Sequence, residues 1–225
     1  MTLPTLLTRG RDLSAWNDEH DWESDTTEFA MLRLFEWRSG VVWGADAQLA
    51  RNLVESTRYG KVVGGYHRVD PTRWTPQIEA RRMIGVLNSC GLLAPGRMRP
   101  AVDIERTGKP EDAKVDWPRW TRSFFEEWRL LTICPLRVYA AGGDFGSLLG
   151  GLTDWPSWVD GWVGHTTEWS SPTRNMLPDE WAGRTKYTLN GRATLHQYAK
   201  PPAAPTDLDC FMPGKTWVDA ILQTV

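Results

Sequence analysis

A chain of 225 residues with 41% hydrophobic and 24% charged residues has the composition of an ordinary soluble globular domain, long enough for a closed α/β barrel. A net charge of −2 supplies no basic field, so bulk attraction to nucleic acid or anionic lipid is not expected. No window approaches the roughly 20 apolar residues of a membrane span, and the first residues lack the basic start of a signal peptide. Fourteen tryptophans are unusual at this length. They read equally as sugar-stacking surfaces and as core filler. Cys90, Cys134 and Cys210 are odd in number and widely spaced, which fits free thiols and no zinc pattern.

In chain order, Arg9 to Leu13 reads as a first strand with Asp12 near its end. The acidic stretch Asn17 to Glu23 reads as a solvated loop rather than a metal site. Phe29 to Phe35 reads as a second buried strand carrying one charge, Arg33. Apolar positions Ala45, Leu49, Leu53 and Val54 recur at helical spacing up to Tyr59, and Gly60 is placed to end that helix. Val62 to His67 is a third strand, with two glycines suited to a tight barrel interior. Pro76 to Ser89 is a second helix, with Thr75 as its N-cap.

Arg99 to Glu105 is a short buried strand ending in two acids. Side chains alternate along a strand, so Ala101, Asp103 and Glu105 share one face and Val102 and Ile104 the other. Two acids at positions i and i+2, roughly 6–7 Å apart by strand rise, raise the proton affinity of at least one of them. A carboxylic acid kept protonated near neutral pH is what a glycosidase needs to protonate its leaving group. The bland alternative is a strand end salt-bridged by Arg99 or Arg106.

A helix follows from Trp117 to Leu130 with Asp116 as N-cap, then a strand from Leu136 to Ala140. Beyond it are expected a short helix from Asp144 to Leu149 and a strand from Trp158 to Val163. A loop-like stretch follows, with a strand from Lys186 to Leu189. Thr194 to Tyr198 is the last strand, the proline run 201–205 reads as a loop within the domain, and Asp207 to Phe211 looks structured. Trp217 to Leu222 closes the chain with a short helix. Strand followed by helix, several times over and with no phosphate-binding glycine motif, predicts a parallel α/β sheet. Acids at the strand ends (Asp12, Asp103, Glu105) suit a single barrel, TIM-like and shortened or irregular, with its active site on that face.

Five segments in this order resemble glycoside hydrolase family 25, the muramidases that cut peptidoglycan glycan chains. They are Gly10-Arg11-Asp12-Leu13-Ser14-Ala15-Trp16, Gly64-Gly65-Tyr66-His67, Asp103-Ile104-Glu105, a strand bearing Tyr139, and Gln197-Tyr198 followed by Asp207-Leu208-Asp209-Cys210-Phe211. Arg33 matches the single arginine of the family's second strand. The resemblance spans residues 9 to 214, so residues 1–225 are expected to form one catalytic domain. The chain departs from the family at Arg68 and at Trp162-Val163-Gly164-His165, where aromatics are usual. The stretch between Tyr198 and Asp207 is also short and proline-rich.

The resemblance implies an N-acetylmuramidase cleaving the β-1,4 bond between N-acetylmuramic acid and N-acetylglucosamine, without metal or other cofactor. Glu105 would be the general acid and base, Asp103 would orient and polarise the 2-acetamido group or hold the developing charge, and Asp12 and Asp207 would complete an acidic ring; direct attack by an aspartate and attack by the acetamido oxygen both fit the sequence. Tyr66, His67, Tyr139, Trp162, Gln197 and Arg33 are the expected substrate-binding or supporting residues. Trp16 and Trp162 would stack on a sugar or plug the barrel. Peptidoglycan is the expected partner and a monomer the expected state. A phage endolysin is the expected setting, made in the host cytoplasm and reaching the wall after membrane permeabilisation. A non-catalytic glycan-binding barrel is the alternative, which would have no need of the carboxylates. A chitinase is disfavoured, because Arg97, Arg99 and Pro100 stand where its strand carries further acids.

Overall fold

The computed structural model describes residues 8–17, 19–36, 44–106, 108–141, 155–164, 193–199, 207–211 and 215–222. Among the described residues the strands are β1 Arg9–Leu13, β2 Phe29–Arg33, β3 Phe35–Glu36, β4 Gly44–Ala45, β5 Val62–Arg68, β6 Ala101–Asp103, β7 Leu136–Ala141, β8 Val159–Gly164, β9 Ala193–Ala199 and β10 Asp207–Phe211. The helices are α1 Leu49–Arg58, α2 Pro76–Ser89, α3 Trp117–Leu131 and α4 Trp217–Ala220, with a 3-10 turn at Pro110–Lys114. The expected helix at 144–149, the strand at 186–189 and the proline run lie outside the described residues.

Eight strands form one mostly parallel sheet in the order β1-β10-β9-β8-β7-β6-β5-β2, and its pairings close on themselves. Only β10 runs against its neighbours, pairing antiparallel with both β9 and β1. β3 and β4 form a separate two-stranded sheet, so the expected strand at 29–35 is interrupted after Arg33. The helix expected from Ala45 starts at Leu49, because Gly44 and Ala45 pair with Glu36 and Phe35. The second helix has the expected limits, with Thr75 Oγ1 accepting the Ile78 N–H and Pro76 in the first turn.

Alternation along the strands sorts the core into two parts. One side of the sheet packs Leu32, Val63, Val102, Ile104 and Val138 against the helices. The other fills the barrel with Phe29, Met31, Tyr66, Met98, Ala101, Trp162, Leu195 and Phe211. Gly64 sits where a Cβ would come within 2.6 Å of Met98 Cβ and 2.8 Å of Met31 Sδ, so the interior is closed there by the absence of a side chain. On α3, Trp120, Phe124 and Trp128 stack at i, i+4 spacing, with ring centroids 5.6 and 6.3 Å apart. Trp22, Trp117, Trp155 and Trp162 are buried as well. Among the described residues, most tryptophans therefore serve as core filler, and Trp16 is 70% exposed.

The end of the barrel where the parallel strands begin is sealed by α4 and its flanks. Arg99 N–H donates to the Ala220 carbonyl and Leu222 N–H to that of Arg97, and Phe29, Phe211 and Trp217 pack as an aromatic trio. Arg137, fully buried, grips Asp160 through Nε at 2.8 Å and Nη2 at 3.3 Å, while Arg99 Nη1 reaches the same carboxylate at 3.0 Å. Arg99 is thus occupied below the barrel and does not neutralise the acids at position 103 or 105. Cys90 and Cys134 are free thiols, half-buried.

Candidate active site

At the opposite end, where the parallel strands finish, lies a cavity of about 410 Å³. Three strands contribute pairs spaced two apart, as one face requires: Asp12 on β1 with Ser14 just after it, Tyr66 and Arg68 on β5, and Asp103 and Glu105 on and after β6, while Arg33 stands at the end of β2. Tyr139 of β7, Trp162 of β8 and Gln197 of β9 complete the wall, and Trp16 and Asn17 stand on the loop after β1. The regular ladder of β6 stops at Asp103, but Ile104 N–H still donates to the Tyr139 carbonyl at 2.9 Å. That bond carries the alternation one step further and turns Glu105 into the same cavity.

The two acids of this strand end meet unlike surroundings. Asp103 is 6% exposed, and its Oδ1 has no hydrogen-bond partner among the described residues. Burial is the largest influence raising its proton affinity well above that of an ordinary aspartate, and the Glu105 charge adds to it. Arg68 and Arg33 pull the other way without reversing the shift. The Glu105 side chain is 26% exposed, and Arg68 Nη2 lies 3.4 Å from its Oε2. The repulsion expected from the Asp-x-Glu spacing is thus expressed on Asp103, the buried member. Among the described ion pairs, the arginine beside Glu105 is Arg68, and Arg99 is held by Asp160.

A second line of polar groups crosses the cavity. Gln197 Nε2 donates to Asp12 Oδ2 at 2.7 Å, and Tyr139 Oη donates to Gln197 Oε1 at 2.7 Å. The carboxylate only accepts, so the amide nitrogen must face it and the phenol must be the donor at the far end. Burial, reinforced by the surrounding acids, holds the hydroxyls of both Tyr66 and Tyr139 protonated well beyond the ordinary range. This fixes the polarity of the chain. Below it, Tyr66 and Tyr139 set their ring edges against Trp162, with centroids 5.9 and 4.9 Å apart. The Trp162 indole N–H donates to Asp209 Oδ1 at 2.9 Å. Trp162, 1% exposed, is a plug and not a stacking platform.

The other expected residues separate cleanly. Arg33, Tyr66, Tyr139 and Gln197 join the three acids in the cavity. His67 does not. It follows Tyr66, so its ring points to the other side of the sheet, where it is fully buried, donates through Nε2 to Glu79 Oε2 at 2.7 Å and packs edge-on against Phe35. It pins α2 to β5 in place of the expected sugar contact. Asp207 lies directly opposite Asp12 in the β1–β10 register, and its side chain is outside the described residues. Arg68 was legible by the same alternation that removes His67. Asp209, in contrast, has a partner 47 residues away, and local spacing gives no sign of it. Among the described residues, no group of His, Cys, Asp and Glu is arranged to hold a metal ion, and no helix is long and apolar enough to cross a membrane.

No family model and no curated protein matches the sequence. Solved structures do. The bacterial lysozyme of Streptomyces coelicolor superimposes with a TM-score of 0.69 at 15% identity, covering 94% of this chain and 94% of its own. The fold is that of the family 25 glycosyl hydrolases. A family 25 lysozyme from Aspergillus fumigatus gives 0.68 at 16% identity, covering 95% of this chain and 98% of that one. The catalytic domain of endolysin ply40 from bacteriophage P40 of Listeria monocytogenes gives 0.65 at 15% identity, with 93% and 95% covered. The expected fold family is therefore borne out by the course of the chain, at identities too low for a sequence match.

Proposed function

We propose that the protein is a peptidoglycan hydrolase, an N-acetylmuramidase, whose reaction takes place in the cavity bounded by Asp12, Asp103 and Glu105. The observation that carries this reading is the pair of carboxyl groups two residues apart at one strand end, one sealed from water and the other at the cavity surface. Glu105, the accessible member, protonates the glycosidic oxygen as the bond to the anomeric carbon breaks. It then takes a proton from the water that attacks that carbon, which restores the acid. Asp103, whose proton affinity is raised by burial and by the Glu105 charge, is a poor nucleophile and instead orients the 2-acetamido group of the sugar. The acetamido oxygen bonds to the anomeric carbon as the leaving group departs, and water later displaces it with net retention of configuration. Asp12, fixed by Gln197, lies on the opposite wall and offers negative charge to the oxocarbenium-like transition state. Asp207, through its register with Asp12, is assigned to the same wall. Trp16, the exposed indole at the mouth, is the surface on which a sugar ring can stack. The likeness to the ply40 catalytic domain supports a lysis role of the endolysin kind, with peptidoglycan as the target.

The reading is tested by digesting purified peptidoglycan and identifying the new ends by mass spectrometry. New reducing-end muramic acid supports a muramidase. Reducing-end glucosamine would place the cut at the other bond, and sedimentation with the wall without release would make the protein a glycan-binding barrel.

A further inference from the structure

A general acid must carry its proton when the bond breaks, yet the accessible carboxyl of this cavity faces a guanidinium. Arg68 Nη2 lies 3.4 Å from Glu105 Oε2, and an opposite charge at that distance favours the carboxylate form. Arg68 is not locked there: its side chain is 41% exposed and reaches into the cavity from the last residue of β5. Burial opposes its charge, and the nearby Asp103 and Glu105 more than compensate. Among the described residues, the charged and titratable groups that line the cavity with Glu105 are Arg68 and Tyr66 from β5, Asp103 from its own strand, Tyr139 from β7, Arg33 from β2 and Asp12 from β1, and Asp209 of β10 acts on Tyr139. Among the described residues lining the cavity, Arg33 and Arg68 are the cations, and they offer an anionic ligand two positive groups beside the acids.

We propose that Arg68 is the binding residue for a carboxylate carried by the glycan, and that this carboxylate draws Arg68 away from Glu105 as the substrate binds. The inference rests on the muramidase reading. The ligand class is a β-linked amino-sugar chain bearing a carboxylate close to the scissile bond, such as a free lactyl group. Binding exchanges one Arg68 ion pair for another, so it costs little. It also takes the Arg68 charge away from Glu105, which holds a proton more readily, only when the acidic sugar is in place. Recognition of the substrate's charge and readiness of the acid become one event.

The test uses one glycan in two forms, a muramic-acid-containing tetrasaccharide with free lactyl carboxylates and the same compound with those groups converted to carboxamides. The readout is the pH dependence of kcat, which reports groups in the bound complex. In the wild type, the alkaline limb lies about one pH unit higher for the carboxylate form than for the amide. KM favours the carboxylate form about tenfold. In Arg68→Met both forms share the higher limb and the KM preference disappears, while Arg68→Lys keeps part of each. Circular dichroism and thermal denaturation establish that the variants fold. Superimposed limbs in the wild type overturn the proposal whatever the variants do, and so does a separation that survives in Arg68→Met. A wild type that cuts neither form overturns the muramidase reading, and this inference with it.

Discussion

Gln197 Nε2 and Asp12 Oδ2, 2.7 Å apart, join residues separated by 185 positions in the chain. The bond spans the barrel wall from β9 to β1, across β10, and ties the sheet's closure to the geometry of the cavity. Because Tyr139 holds the other end of the amide, Gln197 has one orientation that satisfies both neighbours. Gln197→Leu removes both bonds at once and takes the amide donor away from the buried Asp12. The expected cost is about 2 kcal/mol of stability, measured by urea denaturation, with at least a tenfold loss of glycan cleavage.

Asp103→Asn separates stability from activity. Burial first, and Glu105 second, raise the proton affinity of Asp103 in the folded state. The folded protein therefore holds a proton there that the unfolded chain releases above the ordinary aspartate range. The stability tied to that proton is complete below the unfolded value and drains away as pH rises through the folded one. Asparagine has no proton to lose. Thermal scans from pH 4 upward should show the variant gaining on the wild type as pH rises, while its cleavage rate falls by a factor of about 100.

Asp25 behaves in the opposite sense. Burial works to raise its proton affinity, but the hydrogen bonds from His20 and from the Thr27 N–H, together with the Arg11 charge, overcome this and leave it well below the ordinary range. Arg11 Nε lies at 3.0 Å and His20 Nε2 at 2.7 Å, and the Lys61 ammonium binds the Asp25 and Thr27 carbonyls beside them. This contribution is present above the unfolded aspartate value, about pH 3.9, and is lost as pH falls through the folded value. Asp25→Asn should cost about 3 kcal/mol at pH 7. The gap to the wild type should narrow in denaturation experiments carried down to pH 2.

Gly64→Ala tests the close packing of the barrel. Its Cβ would enter the space held by Met98 Cβ, which is bonded directly to the backbone and cannot swing aside. A loss of about 1–3 kcal/mol is expected in chemical denaturation. Met31→Ala in the same chain should recover part of it, since the Met31 Sδ is the other close neighbour.

These sites differ in how far the sequence discloses them. Alternation alone places Asp103 and Glu105 together and, applied evenly, moves His67 off the face of Tyr66 and puts Arg68 on it. The family pattern argued for His67, but strand geometry overrules it, since neighbours on a strand cannot share a face. The Thr75-Pro76 start and the Asp116 cap fixed α2 and α3, because capping chemistry is local. The interruption after Arg33 and the late start of α1 come from pairing between β3 and β4, a contact that neither segment announces. Arg137–Asp160 and Trp162–Asp209 join residues 23 and 47 positions apart, and their partners are set by the curvature of the sheet.

Glu105, on the proposed reading, performs acid and base catalysis on a peptidoglycan glycan chain. The most direct measurement compares the release of reducing ends from purified peptidoglycan by the wild type and by Glu105→Gln, with thermal denaturation of both. A Gln side chain keeps the volume and loses the proton, so release should fall at least a hundredfold while the variant stays folded and still sediments with the wall. A folded Glu105→Gln variant that releases reducing ends at the wild-type rate would contradict the claim.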